Sequence, residues 1–148
     1  MTATYVVFKL DGAEYALPAA QVVQMESYDG ATRVPGSAPY VAGIVQVRGR
    51  VVPVVDLRLR FALPAIERTL DARIIIAQDG DRPVGLLVDS AREVLELDEA
   101  QLEAPPSLVS DHAGGFVRAV ARLDGRLVMI VDFRKVIGET QSDAHEGR

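Results

Sequence analysis

Two aspartates, Asp56 and Asp132, each end an apolar run, and paired carboxylates could act together in acid–base chemistry. In aspartic proteases, one aspartate from each half of a duplicated β protein shares a proton, because like charges in contact cannot both ionise. That chemistry needs Ser or Thr and then Gly after each aspartate. Leu57-Arg58 and Phe133-Arg134 follow here, and each arginine opposes the raised pKa required. The favoured prediction is that both carboxylates accept backbone hydrogen bonds at strand ends, and a hydrolase using both is a remote alternative.

Few other residues could support catalysis or bind a cofactor. The two histidines, His112 and His145, lie outside metal-ligand spacing of each other and of clustered carboxylates, so no metal site is predicted. The chain has no cysteine, which excludes disulfides and thiol catalysis. The sequence has neither a phosphate-binding glycine motif nor a serine nucleophile elbow. Its net charge of −5, without a basic cluster, argues against nucleic-acid binding. The sequence therefore predicts a protein without enzyme activity and without a cofactor.

An internal duplication accounts for both aspartates. Shifting the sequence by 76 positions places Phe116–Arg134 over Tyr40–Arg58, with identical residues at 7 of the 19 positions. In each copy an apolar run meets a glycine turn, Arg48-Gly49-Arg50 or Leu123–Arg126, and a second apolar run then ends at the aspartate. Valine-rich runs on either side of such turns predict a β-hairpin whose second strand is buried.

The duplication extends over most of the chain, which predicts a mostly β protein. Thr4–Leu17 reads as a hairpin with an Asp11-Gly12 turn, and Arg73–Val88 repeats it with a turn at Asp79-Gly80. Residues 139–148 contain no bulky apolar side chain and are predicted to be a disordered tail. No apolar segment approaches the ~20 residues that a membrane span needs, and no basic leader opens the chain, so a soluble cytosolic protein is expected.

Three segments carry a resemblance to a known family. Gly43–Phe61, Val84–Ser90 and Leu123–Leu127 closely resemble the motifs of the CheW family of chemotaxis coupling proteins, in the same order and at suitable spacing. The resemblance implies two pseudo-symmetric, five-stranded barrels of the Src-homology-3 type, packed around a shared hydrophobic core. It also implies one CheW-like domain over residues 1–138, with lobe 1 at about 14–70 and lobe 2 at about 71–138 plus the N-terminal strand.

The family resemblance implies a function as a non-catalytic adaptor. CheW proteins link the regulatory domain of the histidine kinase CheA to the cytoplasmic tip of methyl-accepting chemoreceptors, in arrays at the inner membrane. Other CheW-like domains are further candidate partners. An adaptor of a pilus-motility or other kinase pathway is the alternative, since sequence does not separate these systems. No kinase-contact residue is assigned.

The same resemblance assigns five candidate receptor-binding residues. Arg48 occupies the family's Arg-Gly turn and is expected at the receptor-binding groove between the lobes, where its planar guanidinium and apolar stem suit a groove that grips a helical hairpin. The alternative for Arg48 is a solvated turn residue. The other four positions expected near this groove are Val22, Gly43, Val84 and Leu86. The alternative for these four is a place in the core. Many family members carry Glu in place of Gln24, and that Glu can pair with the turn arginine, so the orientation of Arg48 is open here.

Overall fold

The computed structural model describes residues 1–107 and 115–138, and strands dominate these residues. The predicted tail at 139–148 lies outside them. The strands are β1 (Thr2–Leu10), β2 (Ala13–Pro18), β3 (Val22–Ser27), β4 (Val41–Val47), β5 (Arg50–Asp56), β6 (Arg73–Asp79), β7 (Arg82–Val88), β8 (Ser90–Asp98), β9 (Leu102–Glu103), β10 (Val117–Leu123) and β11 (Arg126–Val131). Short helices α1 (Leu57–Arg60) and α2 (Phe133–Ile137) follow β5 and β11.

The strands form two sheets, and each sheet closes into a barrel. Barrel A has the strand order β8-β1-β2-β11-β10-β9, and its two outermost strands are consecutive in the chain, joined by a 3₁₀ turn at Glu99–Gln101. Barrel B has the order β3-β6-β7-β5-β4, and a bridge between Thr32 and Ile44 joins the segment after β3 to β4. The predicted all-β, two-barrel fold is confirmed.

The first hairpin of each half is exchanged between the barrels. The β1–β2 hairpin pairs with β8 and β11 in barrel A, and the β6–β7 hairpin pairs with β3 and β5 in barrel B. The predicted division near residue 70, with the N-terminal strand assigned to lobe 2, places β1 as observed but differs from the strand pairing for β2, β6 and β7. The exchange depends on parallel pairing of β2 with β11 and of β5 with β7, which a local pattern does not specify. The second turn lies at Gly80-Asp81, one residue later than predicted.

Three apolar clusters stabilise the fold. One fills barrel A and includes Tyr5, Val7 and Leu97, and another fills barrel B and includes Val52 and Ile74. The third and largest lies between the barrels and contains residues from both, as predicted for a shared core. Its buried members are Val6, Phe8, Leu10, Tyr15, Leu17, Val55, Leu57, Ile75, Ala77, Leu86, Val88, Ala91, Phe116, Val117, Val131, Phe133 and Val136. Because burial of apolar surface drives folding, this shared cluster makes each barrel depend on the other.

Candidate functional site

The β4–β5 turn presents Arg48 to solvent. Val47 pairs with Arg50, which leaves a two-residue loop with φ of 50° at Arg48 and 81° at Gly49. Positive φ at both central positions matches a hairpin turn of type I′, whose twist suits the flanking strands. Gly49 adopts this conformation at low cost, and Arg48 does so with its side chain exposed. The predicted hairpin turn is confirmed, and the receptor-binding role of Arg48 stays a prediction.

A cleft of about 990 Å³ lies beside this turn, between the end of β3 and the edge of β4. Arg48 lines it, together with the acidic residues Glu26 and Asp29. Within residues 1–107 and 115–138, no carboxylate lies close enough to Arg48 to form a salt bridge. Gln24 donates a hydrogen bond from its amide to Glu26. The orientation of Arg48 is therefore set by its turn and by the open cleft, and its guanidinium is available to a partner.

An apolar row crosses all five strands of barrel B on the side of the shared core. We call this set of residues the apolar row. Strand register places its members side by side, in the order Val22, Ala77, Val84, Pro53 and Ile44. Val22 and Val84 pack against the shared core and keep part of their surface exposed. The structure thus brings two of the five sequence-predicted residues onto one apolar surface, which a partner could cover.

Leu86 and Gly43 have structural roles and are not exposed for contact. Leu86 is 0% exposed inside the shared core, so its side chain cannot touch a partner directly. Gly43 is buried with φ of 144°, and a Cβ there would lie 2.2 Å from the carbonyl oxygen of Thr32. Strand alternation places Leu86 in the shared core and a close backbone approach buries Gly43, which is the alternative stated for them from the sequence, and their part in receptor binding stays a prediction.

Arg48 and the apolar row occupy different parts of barrel B. Arg48 lies four positions after Ile44, in the turn just beyond the end of β4, which corresponds to ~13 Å along an extended chain. A partner that covers the row and also reaches the arginine must therefore extend along the β4–β5 hairpin.

Asp56 and Asp132 each cap the short helix that follows. Asp56 accepts hydrogen bonds from the backbone N–H of Arg58 at 2.9 Å and from Arg68 at 2.8 Å. Asp132 accepts from the backbone N–H of Lys135 at 3.3 Å. Such bonds satisfy backbone donors at the N-terminus of a helix. The prediction that both aspartates accept backbone hydrogen bonds at strand ends is confirmed.

A buried charge network crosses between the barrels, and it was not predicted. Arg58, in α1, donates to Asp89 at 2.9 Å, to Asp11 at 3.4 Å and to the carbonyl of Pro64 at 2.6 Å. Arg68 adds a second bond to Asp89 at 3.0 Å. Burial alone would raise the pKa of Asp89. The hydrogen bonds from Arg58 and from the Asp11 N–H, together with the positive charges of Arg58 and Arg68, outweigh burial and lower this pKa below its usual value of 3.8. The hydrogen bond to Asp89 raises the pKa of Arg58 above its usual value, against the effect of burial.

Arg60 lies between two aromatic rings that the duplication relates. Its guanidinium carbon is 4.2 Å from the ring centroid of Tyr40 and 4.9 Å from that of Phe116, which start corresponding strands of the two barrels. It also donates to the carbonyls of Val136 at 2.7 Å and Lys135 at 3.1 Å, near the end of α2. The matching of Tyr40 with Phe116 in the repeat was the sequence signal for this contact. Cation–π contact and helix C-terminal bonding both hold α1 against barrel A.

The described residues contain no group of three or more His, Cys, Asp or Glu side chains that could hold a metal ion. No helix in this part of the chain is long and apolar enough to cross a membrane.

The chain folds into two barrels of the Src-homology-3 type around one shared core. Barrel B carries both the hairpin with Arg48 and the apolar row. These features together define a double-barrel scaffold fold. The chain belongs to the CheW-like domain family, whose model matches residues 4–141. The resemblance noted in the sequence is confirmed, and the family supports a role as a chemotaxis adaptor.

Similar proteins cover nearly the whole chain. Chemotaxis protein CheW of Bacillus subtilis (strain 168) is 37% identical over 139 residues, which are 94% of this chain and 89% of that protein. The protein of the same name from Thermotoga maritima is 33% identical over 132 residues, 89% of this chain and 85% of that protein. The crystal structure of the scaffolding protein TtCheW from Thermoanaerobacter tengcongensis superposes with a TM-score of 0.85 at 30% identity, covering 93% of this chain and 94% of that one.

Proposed function

We propose that this protein is an adaptor that couples methyl-accepting chemoreceptors to a CheA-type histidine kinase in a signalling array. The observation that carries the proposal is the match to the CheW-like family over residues 4–141, together with two complete barrels. The partners are the regulatory domain of the kinase, the cytoplasmic tip of the receptors and other CheW-like domains. The protein acts in the cytoplasm and is recruited to arrays at the inner membrane.

Receptor binding is proposed for the surface that joins the apolar row to the β4–β5 turn. Val22 and Val84 supply partly exposed apolar contacts, and Arg48 supplies an exposed charged donor at one end. A receptor tip is a helical hairpin with an apolar face and polar ends, which fits such a combination. Leu86, in the shared core, and the buried Gly43 support this surface from beneath and do not touch the receptor.

The coupling itself is tested by titrating the full-length protein with the isolated regulatory domain of the histidine kinase from the same genome. Interfaces of ~1,200 Å² or less give modest affinity, so a saturable dissociation constant in the micromolar range or below is expected. Avidity in a lattice then strengthens the assembly. Absence of binding to every such kinase domain encoded in the genome would contradict the coupling function and leave the fold assignment standing.

The role of Arg48 is tested with Arg48→Ala in titration calorimetry against a receptor-tip fragment. Loss of a charged anchor is expected to weaken binding by ~1–3 kcal/mol while the unfolding midpoint stays unchanged. Arg50→Ala is the matched control, because Arg50 is exposed on the other side of the same turn. Equal affinity of the Arg48 variant and the unmodified protein would remove Arg48 from the proposed receptor site.

A further inference from the structure

The two barrels close differently at corresponding positions. In barrel A, β9 pairs with β10 through Glu103 opposite Val120 and Leu102 opposite Ala121. Leu102 packs against the interior cluster of barrel A, and Glu103 forms a salt bridge of 3.2 Å with Arg122, two residues farther along β10. The short strand β9 therefore covers the edge of barrel A with backbone bonds, an apolar side chain and an ion pair.

Among residues 1–107 and 115–138, barrel B has no equivalent of β9 beyond one bridge. The duplication matches β4 with β10, so that Gln46 corresponds to Arg122. Thr32 bonds to Ile44 through two backbone hydrogen bonds of 2.9 and 2.8 Å. The preceding loop then leaves β4, and the cleft of about 990 Å³ opens along the rest of the strand.

The backbone of Gln46 faces this cleft with a free donor and a free acceptor. Residues of an antiparallel strand alternate between bonding to one neighbour and pointing away from it. Ile44 directs its N–H and C=O toward Thr32 and away from Pro53, so Gln46, two residues later, directs its own groups the same way. No backbone hydrogen bond joins them to the loop in the described part of the chain. An edge of this kind is a template for another strand.

The side chains around this edge specify what a pairing strand should carry. Val45 and Val47 pack against the interior cluster of barrel B and remain only partly buried beside the cleft. Arg48, the first turn residue after β4, lies two residues beyond Gln46, and Arg122 lies two residues beyond Val120 within β10, so the comparison is moved two positions along from the repeat alignment. In barrel A, a glutamate opposite Val120 reaches Arg122 in this way. An acidic residue opposite Gln46 would reach Arg48 by the same diagonal.

We propose that barrel B binds an extended peptide as an added strand on the free edge of β4. The peptide runs antiparallel to β4 and exchanges two backbone hydrogen bonds with Gln46. It places an apolar side chain over Val47 and a carboxylate at Arg48, as Leu102 and Glu103 do in barrel A. It ends before Ile44, where Thr32 already bonds. Strand addition takes affinity from the backbone and specificity from alternate side chains. This inference does not depend on the kinase or receptor proposed above.

The probe is a synthetic peptide with the sequence of Asp98–Ala104, titrated into the ¹⁵N-labelled full-length protein by NMR. Saturable shifts are expected at the amides of Gln46, Val47 and Arg48. Gln46→Pro removes the outward N–H and leaves the β4–β5 ladder intact, since proline is tolerated on edge strands, and binding should fall at least tenfold. Gln46→Ala keeps the backbone donor and should bind as the unmodified protein does.

Methylation of the peptide backbone nitrogen at Glu103 gives an independent control that leaves the protein untouched. This methyl group removes the peptide N–H that faces Gln46, so the amide shifts should disappear. The control remains valid even if Gln46→Pro proves unstable. The proposal is overturned if no saturable shift appears at Gln46 up to the solubility limit of the peptide. It is also overturned if the methylated peptide binds as tightly as the unmodified one.

Discussion

At the residue scale, Arg58 is a buried cation that ties α1 to the opposite barrel. Its side chain is 6% exposed and bonds to Asp89, which is 19% exposed. Removing Arg58 ends its charge-assisted hydrogen bonds to Asp89 and leaves that carboxylate paired with Arg68 alone, at a cost of ~1.5–3 kcal/mol. Arg58→Met is therefore expected to lower the free energy of unfolding by that amount in urea titrations monitored by circular dichroism.

Arg134 provides the matched control for Arg58. It occupies the corresponding position after β11 and pairs with Asp79, but its side chain is 65% exposed. Exposed ion pairs contribute ~0–1 kcal/mol, so Arg134→Met should change stability little. Equal losses in the two variants would show that burial does not distinguish these arginines and would contradict the structural role of the Arg58 network.

Asp89 predicts how stability responds to acid. Its pKa is lowered in the folded protein by Arg58, the Asp11 N–H and Arg68, although burial opposes this. A depressed carboxylate pKa adds stability that is present above the unfolded-state pKa of ~3.9 and is lost as pH falls through the folded-state pKa. Asp89→Asn should therefore be less stable at pH 7 and should lose less stability below pH ~4. Urea midpoints are measured for both proteins from pH 7 to pH 2.5. An equal fall of the two midpoints with decreasing pH would contradict this expectation.

At the element scale, Gly43 determines how the loop before β4 meets the strand. A Cβ at Gly43 would lie 2.2 Å from the Thr32 carbonyl oxygen, which accepts the bond from Ile44. Gly43→Ala is expected to break the Thr32–Ile44 bridge and to cost ~1–3 kcal/mol in unfolding free energy. Gly36→Ala is the control, because Gly36 also has positive φ but open space around it. Hydrogen exchange of the Ile44 amide should accelerate only in the Gly43 variant.

The hairpins could be predicted from sequence, but their partners could not. Glycine turns between valine-rich runs identified β4–β5 and β10–β11 and placed Arg48 at an exposed turn. The exchange of β1–β2 and β6–β7 between the barrels depends on long-range parallel pairing, which leaves no local pattern. Leu86 was assigned to the receptor site from the family resemblance, and the apolar periodicity of its strand could not decide between that surface and the shared core. The Arg58 network was missed because its acidic partners are distant in sequence.

At the scale of the whole molecule, the exchanged hairpins and the shared core join the barrels into one unit. Each half of the chain supplies strands to both barrels, so neither barrel can form from one half alone. The shared core takes Phe8 and Leu17 from barrel A and Ile75 and Leu86 from barrel B. For an adaptor, this rigid connection would hold partners bound on the two barrels at a fixed relative orientation.

This connection predicts a single cooperative unfolding transition. The chain has no tryptophan, so one introduced tryptophan reports on one barrel. Val47 and Leu123 are corresponding residues: Val47 packs against the interior of barrel B and Leu123 against that of barrel A. The variants Val47→Trp and Leu123→Trp should therefore unfold with the same urea midpoint. Leu86→Ala, which opens a cavity in the shared core, should lower both midpoints together at a cost of ~2–5 kcal/mol. If Leu86→Ala lowered the urea midpoint only in the protein with Val47→Trp, barrel A would remain folded without barrel B. That result would contradict the exchanged topology.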